Sequence, residues 1–396
     1  MRIPFKTFQV LIKLYCVLLI ILYCKIGLLD FTYSDQAGKL RFRACDFIQY
    51  YTASIFTRSG NPAYAYSSAK LISGGEKITG EKIKRIAWNY PPTFLLIVYP
   101  FSLASYPVSL FSWLLITFSG YLFVLYRIAP HQLTFWLVIA FPATFMNINH
   151  GQNGFFFASL LGGGLLLLNK HPIAAGILLG LFACKPQFAV FIPFALLAGR
   201  RWKALGSMGA TVSVMIVISV VLFGWETWLA FFDNTPFIRR LLETGADPSP
   251  WFKMPTLFVA ARMLGLSVTV SYLLQGGVAM SMLGIVYYVW SQKKGIEALN
   301  SILVLGILLA TPYALVHDLT MLAIPIAYLG WQGYTKGWIP YEKLIQAVAW
   351  HMPLFTMFVA LFTSLQVGPL ILTACLTSAL YRLIKSERIE SFEVSN

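Results

Sequence analysis

Four short stretches carry residues able to do chemistry. "ACDFIQYYTAS" at 44–54 sets Asp46 ahead of Tyr50 and Tyr51, and "NHGQN" at 149–153 holds His150, Gln152 and Asn153. "CKPQ" at 184–187 holds Lys185 and Gln187, and "HDL" at 317–319 holds His317 and Asp318. A carboxylate near an acceptor hydroxyl can act as general base. A cation with amide and imidazole donors can stabilise a departing phosphate. The set suits transfer of a group from a lipid phosphate to a hydroxyl at a membrane face, with Asp46 as the base. No DxD, HExxH or GxGxxG motif occurs. Nor do paired carboxylates offer the hard oxygen ligands a divalent cation prefers. Neither metal nor cofactor is expected.

Each stretch also has a plain structural reading. Asp46 fits the cap of a short helix, "NHGQN" fits a polar turn between two spans, and His317 with Asp318 fits an interfacial turn. Lys185 resists such a reading, because an ammonium at membrane depth is costly and needs an anion or a wet cavity.

The elements that must hold these residues are membrane helices. Hydrophobic residues make up 58% of the 396 and charged residues 11%, against about 25% charged in a soluble domain. Apolar runs able to cross a bilayer cover 8–29, 108–126, 132–148, 154–169, 204–223, 268–290, 297–311, 318–334, 343–363 and 367–384. The expected fold is an all-α polytopic bundle of about ten spans, one domain over 1–396. Residues 172–199 differ, since two arms too short to span meet at "CKPQ", which predicts a re-entrant or broken helix pair.

The net charge of +15 comes from 30 Lys and Arg against 15 Asp and Glu. The basic residues lie in short clusters between apolar runs, as orientation signals do, and this argues against a nucleic-acid partner. Arg2 and Lys6, Arg127, Lys170, Arg200 to Lys203, Lys293 and Lys294, Lys336 and Lys343, and Arg382 to Arg388 fall on one side, the cytoplasmic one. Both termini are then cytoplasmic. The long connections 30–93 and 224–255 face outward with the four chemical stretches. In the first of them, 46–60 predicts a short amphipathic helix lying along the membrane surface. The first apolar run is too long for a signal-peptide core and reads as a retained span. Five cysteines without a CxxC pair indicate neither a disulfide framework nor a thiolate metal site.

Asp46-Phe47 with Tyr50 or Tyr51, Gly60 with Tyr64, "YPP" at 90–92, "GQN" at 151–153, "KPQ" at 185–187 and "RRW" at 200–202 follow in an order that resembles the polytopic GT-C glycosyltransferases. The nearest likeness is to glycosyltransferase family 87, which includes polyprenyl-phosphate-mannose-dependent mannosyltransferases; it covers roughly residues 40–330. The resemblance implies a large-cavity GT-C fold, a polyprenyl-phosphate-sugar donor and an inverting mechanism. The family's early outer-loop aspartate falls on Asp46, its Lys-Pro on Lys185-Pro186 and its Gly-Gln on Gly151-Gln152. Where relatives tend to have Pro-x-x-Trp-x-His, this chain reads "PYALVH", with Leu315 in place of Trp. That departure bears on the acceptor.

The reading that follows is a plasma-membrane hexosyltransferase, with mannose the first choice of sugar. Its acceptor is a lipid- or glycan-linked hydroxyl outside the cytoplasm. Lys185, His150, Gln152, Asn153 and Gln187 are the expected donor-phosphate contacts. Tyr50, Tyr51, Tyr64, Tyr90, His317 and Asp318 are the expected substrate contacts. Two other classes compete: a transporter or flippase of a lipid-linked saccharide, against which stands the lack of a visible inverted repeat, and a scaffold that keeps the fold without turnover.

Overall fold

The computed structural model describes residues 5–34, 40–42, 45–83, 86–246, 250–292 and 295–394. Arg2, Lys293 and Lys294, which belong to the basic clusters, lie outside these residues. Helices dominate. Helix α1 (Phe5–Phe31) leads to a small antiparallel pair, Thr32–Ser34 with Leu40–Phe42, in which Tyr33 faces Arg41. Then come α2 (Phe47–Arg58), α3 (Ser68–Thr79), α4 (Pro92–Val98), α5 (Tyr106–Ile128), α6 (Gln132–Ile139), α7 (Pro142–His150) and α8 (Gly154–Leu167). The middle holds α9 (Pro172–Phe182), α10 (Pro186–Ala189), α11 (Phe191–Ala198), α12 (Trp202–Phe223) and α13 (Trp225–Thr244). The chain closes with α14 (Leu257–Met263), α15 (Val268–Gln292), α16 (Ile296–Ala310), α17 (Ala323–Lys336), α18 (Glu342–Thr363) and α19 (Gly368–Val394).

This is a multi-pass membrane protein. Among the described residues, five helices are long and apolar enough to cross a membrane, within α1 and along α5, α12, α15 and α18. The other apolar runs form shorter helices. The run 132–148 is not one continuous helix, because it divides into helices of 8 and 9 residues. Proline causes the division: Pro142 has no N–H to continue α6, and Phe141 before it is extended (φ −60°, ψ 128°). The break expected at "CKPQ" follows the same rule, with Lys185 in a non-helical conformation (φ −115°, ψ 79°) ahead of Pro186.

Small residues bring the helices together. A Cβ on Gly176 of α9 would meet Ser207 Oγ at 1.8 Å and Ala204 O at 2.3 Å on α12; on Gly180, one turn later, it would meet Thr211 Cβ at 2.6 Å. Lipid supplies no hydrophobic drive between helices, so close backbone approach supplies the attraction. Helix α16 is buried at every position from Ala298 to Ala310, and so is surrounded by protein. Glu342, fully buried at the start of α18, accepts from Arg382 of α19 through both oxygens, and Arg382 also donates to Gly337 O at 3.0 Å.

Helix α2 departs most from its expected setting. Nine of its residues are buried, including Phe47, Tyr50, Tyr51 and the polar Gln49, Thr52 and Ser54. It packs within the protein instead of offering an apolar face to lipid. Phe47 and Tyr50 pack among Phe101, Trp88, Phe94 and Trp113, so their rings face protein aromatics.

Candidate active site

A cavity of about 300 Å³ forms where the turns at one end of the bundle meet, a volume at the lower end of ligand pockets. Its wall holds Asp46 and Gln49 of α2, Asn89 and Tyr90 before α4, and His150 and Gln152 from the α7–α8 turn. Lys185 and Gln187 from the helix break, Lys253 from the segment after α13, and Tyr313, His317 and Asp318 after α16 complete it. All four sequence stretches therefore share one cavity.

Asp46 stands at the start of α2 but does not cap it. Its backbone is already helical (φ −59°, ψ −15°), and its side chain makes no capping bond. Instead Asp46 Oδ2 accepts from Gln152 Nε2 at 2.8 Å. Among the described residues no cation pairs with Asp46, and no hydrogen bond reaches its Oδ1. A chain of side chains sets the direction of the Gln152 amide. Tyr50 donates to Gln152 Oε1 at 2.6 Å, Tyr50 and Tyr90 hydroxyls are 3.2 Å apart, and Asn153 Nδ2 donates to the Tyr90 hydroxyl at 2.7 Å. Tyr50 has one proton and gives it to Gln152, so Tyr90 must donate to Tyr50. Burial holds both hydroxyls well above the ordinary phenol range, keeping them protonated. With Oε1 thus occupied, the Gln152 amide presents its NH₂ to Asp46.

The backbone around Gln152 is equally constrained. Its carbonyl accepts from Trp113 Nε1 at 3.2 Å and Asn147 Nδ2 at 3.1 Å, while Asn147 Oδ1 accepts from Gly154 N at 2.7 Å. Gly151 ends α7 in the left-handed region (φ +61°), where a Cβ would also meet Cys45 Sγ and Phe47 Cβ at 2.8 Å. A side chain there would push α2 from the turn that holds its aspartate.

Lys185 forms an ion pair with Asp318, and both are buried. The ammonium sits 4.7 Å from the Phe157 ring centre, with Tyr90 and Phe188 further out. Asp318 Oδ2 accepts from Leu315 N at 2.9 Å. Lys185, expected as a donor-phosphate contact, has its charge matched by a protein carboxylate in this structure. The physical reason is the low local dielectric, which makes an unpaired ammonium far more costly than a paired one. His317 Nε2 lies 3.8 Å from Asp318 Oδ1. Burial pulls the His317 imidazole down to about 4, against the upward influence of Asp318, so it is neutral at pH 7.

Not every candidate faces the cavity. Tyr50 and Asn153 stand behind its wall as the relay just described. Tyr51 is turned away and donates to Ala104 O at 2.8 Å. Tyr64 is 39% exposed, packs edge-on against Phe56, and carries the Lys70 ammonium 3.3 Å over its ring. Conversely, Gln49, Asn89, Tyr313 and Lys253 line the cavity without having been singled out. Gln49 was legible, one helical turn after Asp46, and Asn89 adjoins Tyr90 in "WNYPP". Lys253 follows a long connection and carried no such signal. Among the described residues, no three His, Cys, Asp or Glu side chains gather as ligands for a metal ion.

The cavity lies at the end of the bundle away from Lys170, Lys336 and Arg382. Helix α8 starts beside it at Gly154 and runs to Leu167, rising about 1.5 Å per residue, so Lys170 is at the other end. Helix α17 carries Lys336 there likewise, and Arg382 is tied to Gly337 beyond it. No curated protein and no solved structure matches the chain. One family model does: glycosyltransferase family 87, over residues 88–312. The matched range holds Tyr90, Gln152, Lys185 and Lys253, with Asp46 before it and His317 and Asp318 after it.

Proposed function

Because the chain belongs to glycosyltransferase family 87, we propose that it moves a hexose, mannose in the first instance, from a polyprenyl-phosphate donor to a lipid- or glycan-linked hydroxyl. The acceptor oxygen bonds to the anomeric carbon as its proton passes to Asp46. The bond from that carbon to the phosphate oxygen breaks, and its electron pair leaves with the polyprenyl phosphate. Attack from the face opposite the leaving group inverts the configuration. The donor phosphate lies toward His150 and Gln187, and the reaction needs no metal. The observation that supports this reading most is Asp46 itself: unused as a cap, oriented by Gln152, and on the wall of the cavity. The basic clusters at the opposite end support an extracytoplasmic site in the plasma membrane, with both termini cytoplasmic.

The test is transfer by purified protein in lipid nanodiscs, using radiolabelled polyprenyl-phosphate mannose, glucose or galactose and extracted lipid and glycan acceptors. Label passes to an acceptor, and EDTA leaves the rate unchanged. Asp46→Asn keeps the thermal transition and lowers transfer about 10²–10⁴-fold, the usual worth of a general base. Transfer by the Asn variant at the parent rate removes Asp46 from the role. If the parent uses no lipid-phosphate sugar, the donor class is wrong.

A further inference from the structure

We infer that Lys253 receives the phosphate of the lipid donor. The inference rests on the donor class proposed above. Four side chains lining the cavity are charged carboxylates or ammonium groups: Asp46, Lys185, Lys253 and Asp318. Lys185 and Asp318 neutralise each other as a buried ion pair. The cavity is left with one carboxylate, Asp46, and one ammonium, Lys253, neither with an ion-pair partner among the described residues. A base needs the first. A leaving group that gains negative charge as its bond to carbon breaks needs the second.

Lys253 is on a fixed backbone, although its side chain is long. It closes the short helical turn Trp251–Lys253, donating its N–H to Pro250 O at 3.0 Å. The next residue, Met254, is fully buried in a small core with Leu242, Phe258 and Val259. Trp251 Nε1 donates to Leu242 O at 2.8 Å. Tyr313 and Leu315 pack on that same core and also line the cavity. The core thus joins the Lys253 turn to the segment bearing His317, and holds the ammonium at the cavity wall without burying it in an ion pair.

The transfer step raises the charge of the leaving group from that of a phosphodiester to that of a phosphate monoester. An ammonium with no carboxylate partner among the described residues responds more fully to that change than Lys185, already matched by Asp318. Lys253→Met keeps most of the stem and removes the charge.

The experiment measures binding of farnesyl phosphate, with farnesol as the uncharged control, to the protein in phosphatidylcholine nanodiscs. The parent binds the phosphate more tightly than the alcohol. Lys253→Met weakens farnesyl phosphate about tenfold or more, as expected for a lost hydrogen bond to a charged group; it leaves farnesol unchanged, and Lys253→Arg retains part of the preference. Added salt weakens the parent's binding of farnesyl phosphate more steeply than the Met variant's. A folded Met variant that keeps the parent's preference for phosphate over alcohol overturns the role of Lys253 and leaves the donor class standing. A parent that does not distinguish the two overturns the donor class and this inference with it. Should the Met variant lose its thermal transition, Lys253→Gln is held to the same two criteria.

Discussion

At the residue scale, two carboxylates of the same cavity are held in opposite ways. Asp46 is half-buried and takes an amide hydrogen bond from Gln152. Asp318 is fully enclosed, spending one oxygen on Lys185 and the other on the backbone of Leu315. The first is placed for proton transfer and the second to hold an ammonium and a turn. This difference predicts what Lys185→Met does. The variant leaves a buried carboxylate without its cation, which costs about 3–5 kcal/mol, so the thermal transition of the purified protein drops well below the parent's. Adding Asp318→Leu to Lys185→Met removes the orphaned charge and recovers most of that loss. A single Met variant as stable as the parent would falsify the pairing as a structural element and return Lys185 to the donor phosphate.

At the scale of elements, the site depends on close contacts that admit no side chain. Gly154 opens α8 directly beneath the segment Val316–Leu322, where a Cβ would meet His317 O at 2.3 Å and Thr320 Oγ1 at 2.6 Å. The first of these is backbone and cannot rotate aside. Gly154→Ala must therefore displace His317 and Asp318 relative to Gln152. We expect a stability loss of about 1–3 kcal/mol from overpacking and a fall in transfer of about 10²-fold, the scale that a misplacement near 1 Å can cause. Gly206→Ala on α12, where a Cβ meets nothing within 4 Å, is the matched control and leaves both unchanged. Transfer rate and thermal transition measured on both variants decide the matter; a fully active Gly154→Ala would mean that the turn adapts freely. The prolines act at this scale too. Pro92, Pro142 and Pro186 each begin a helix beside or below the cavity, and each leaves the preceding residue non-helical. These interruptions let polar residues reach a shared space from helices that would otherwise run past it.

At the scale of the whole molecule, charge and chemistry occupy opposite ends. If the basic end is cytoplasmic, an impermeant maleimide applied to intact cells labels Lys82→Cys, an exposed position shortly before the Tyr90 segment, and spares Lys336→Cys, exposed at the end of α17. Labelling of position 336 alone would turn the cavity toward the cytoplasm. The multi-pass class, the helix break at "CKPQ" and the list of polar stretches were all readable in the sequence, because each depends on local properties: run length, apolar content, and the missing N–H of proline. That Asp46 was a candidate at all followed from its rarity in an apolar chain. The tertiary structure decided the partners. Nothing near Asp46 in sequence announces Gln152, and nothing near Lys185 announces Asp318, because each pair joins segments more than a hundred residues apart. The burial of α2 was hidden for a related reason: its alternation of aromatic and polar residues suits either a membrane surface or a protein interior. Only the arrival of Trp88, Phe94 and Trp113 around it selects the second. Lys253 reaches the cavity solely because Met254 buries itself in a core shared with Tyr313 and Leu315. Local sequence specifies which groups can react; long-range packing specifies which partners each of them meets.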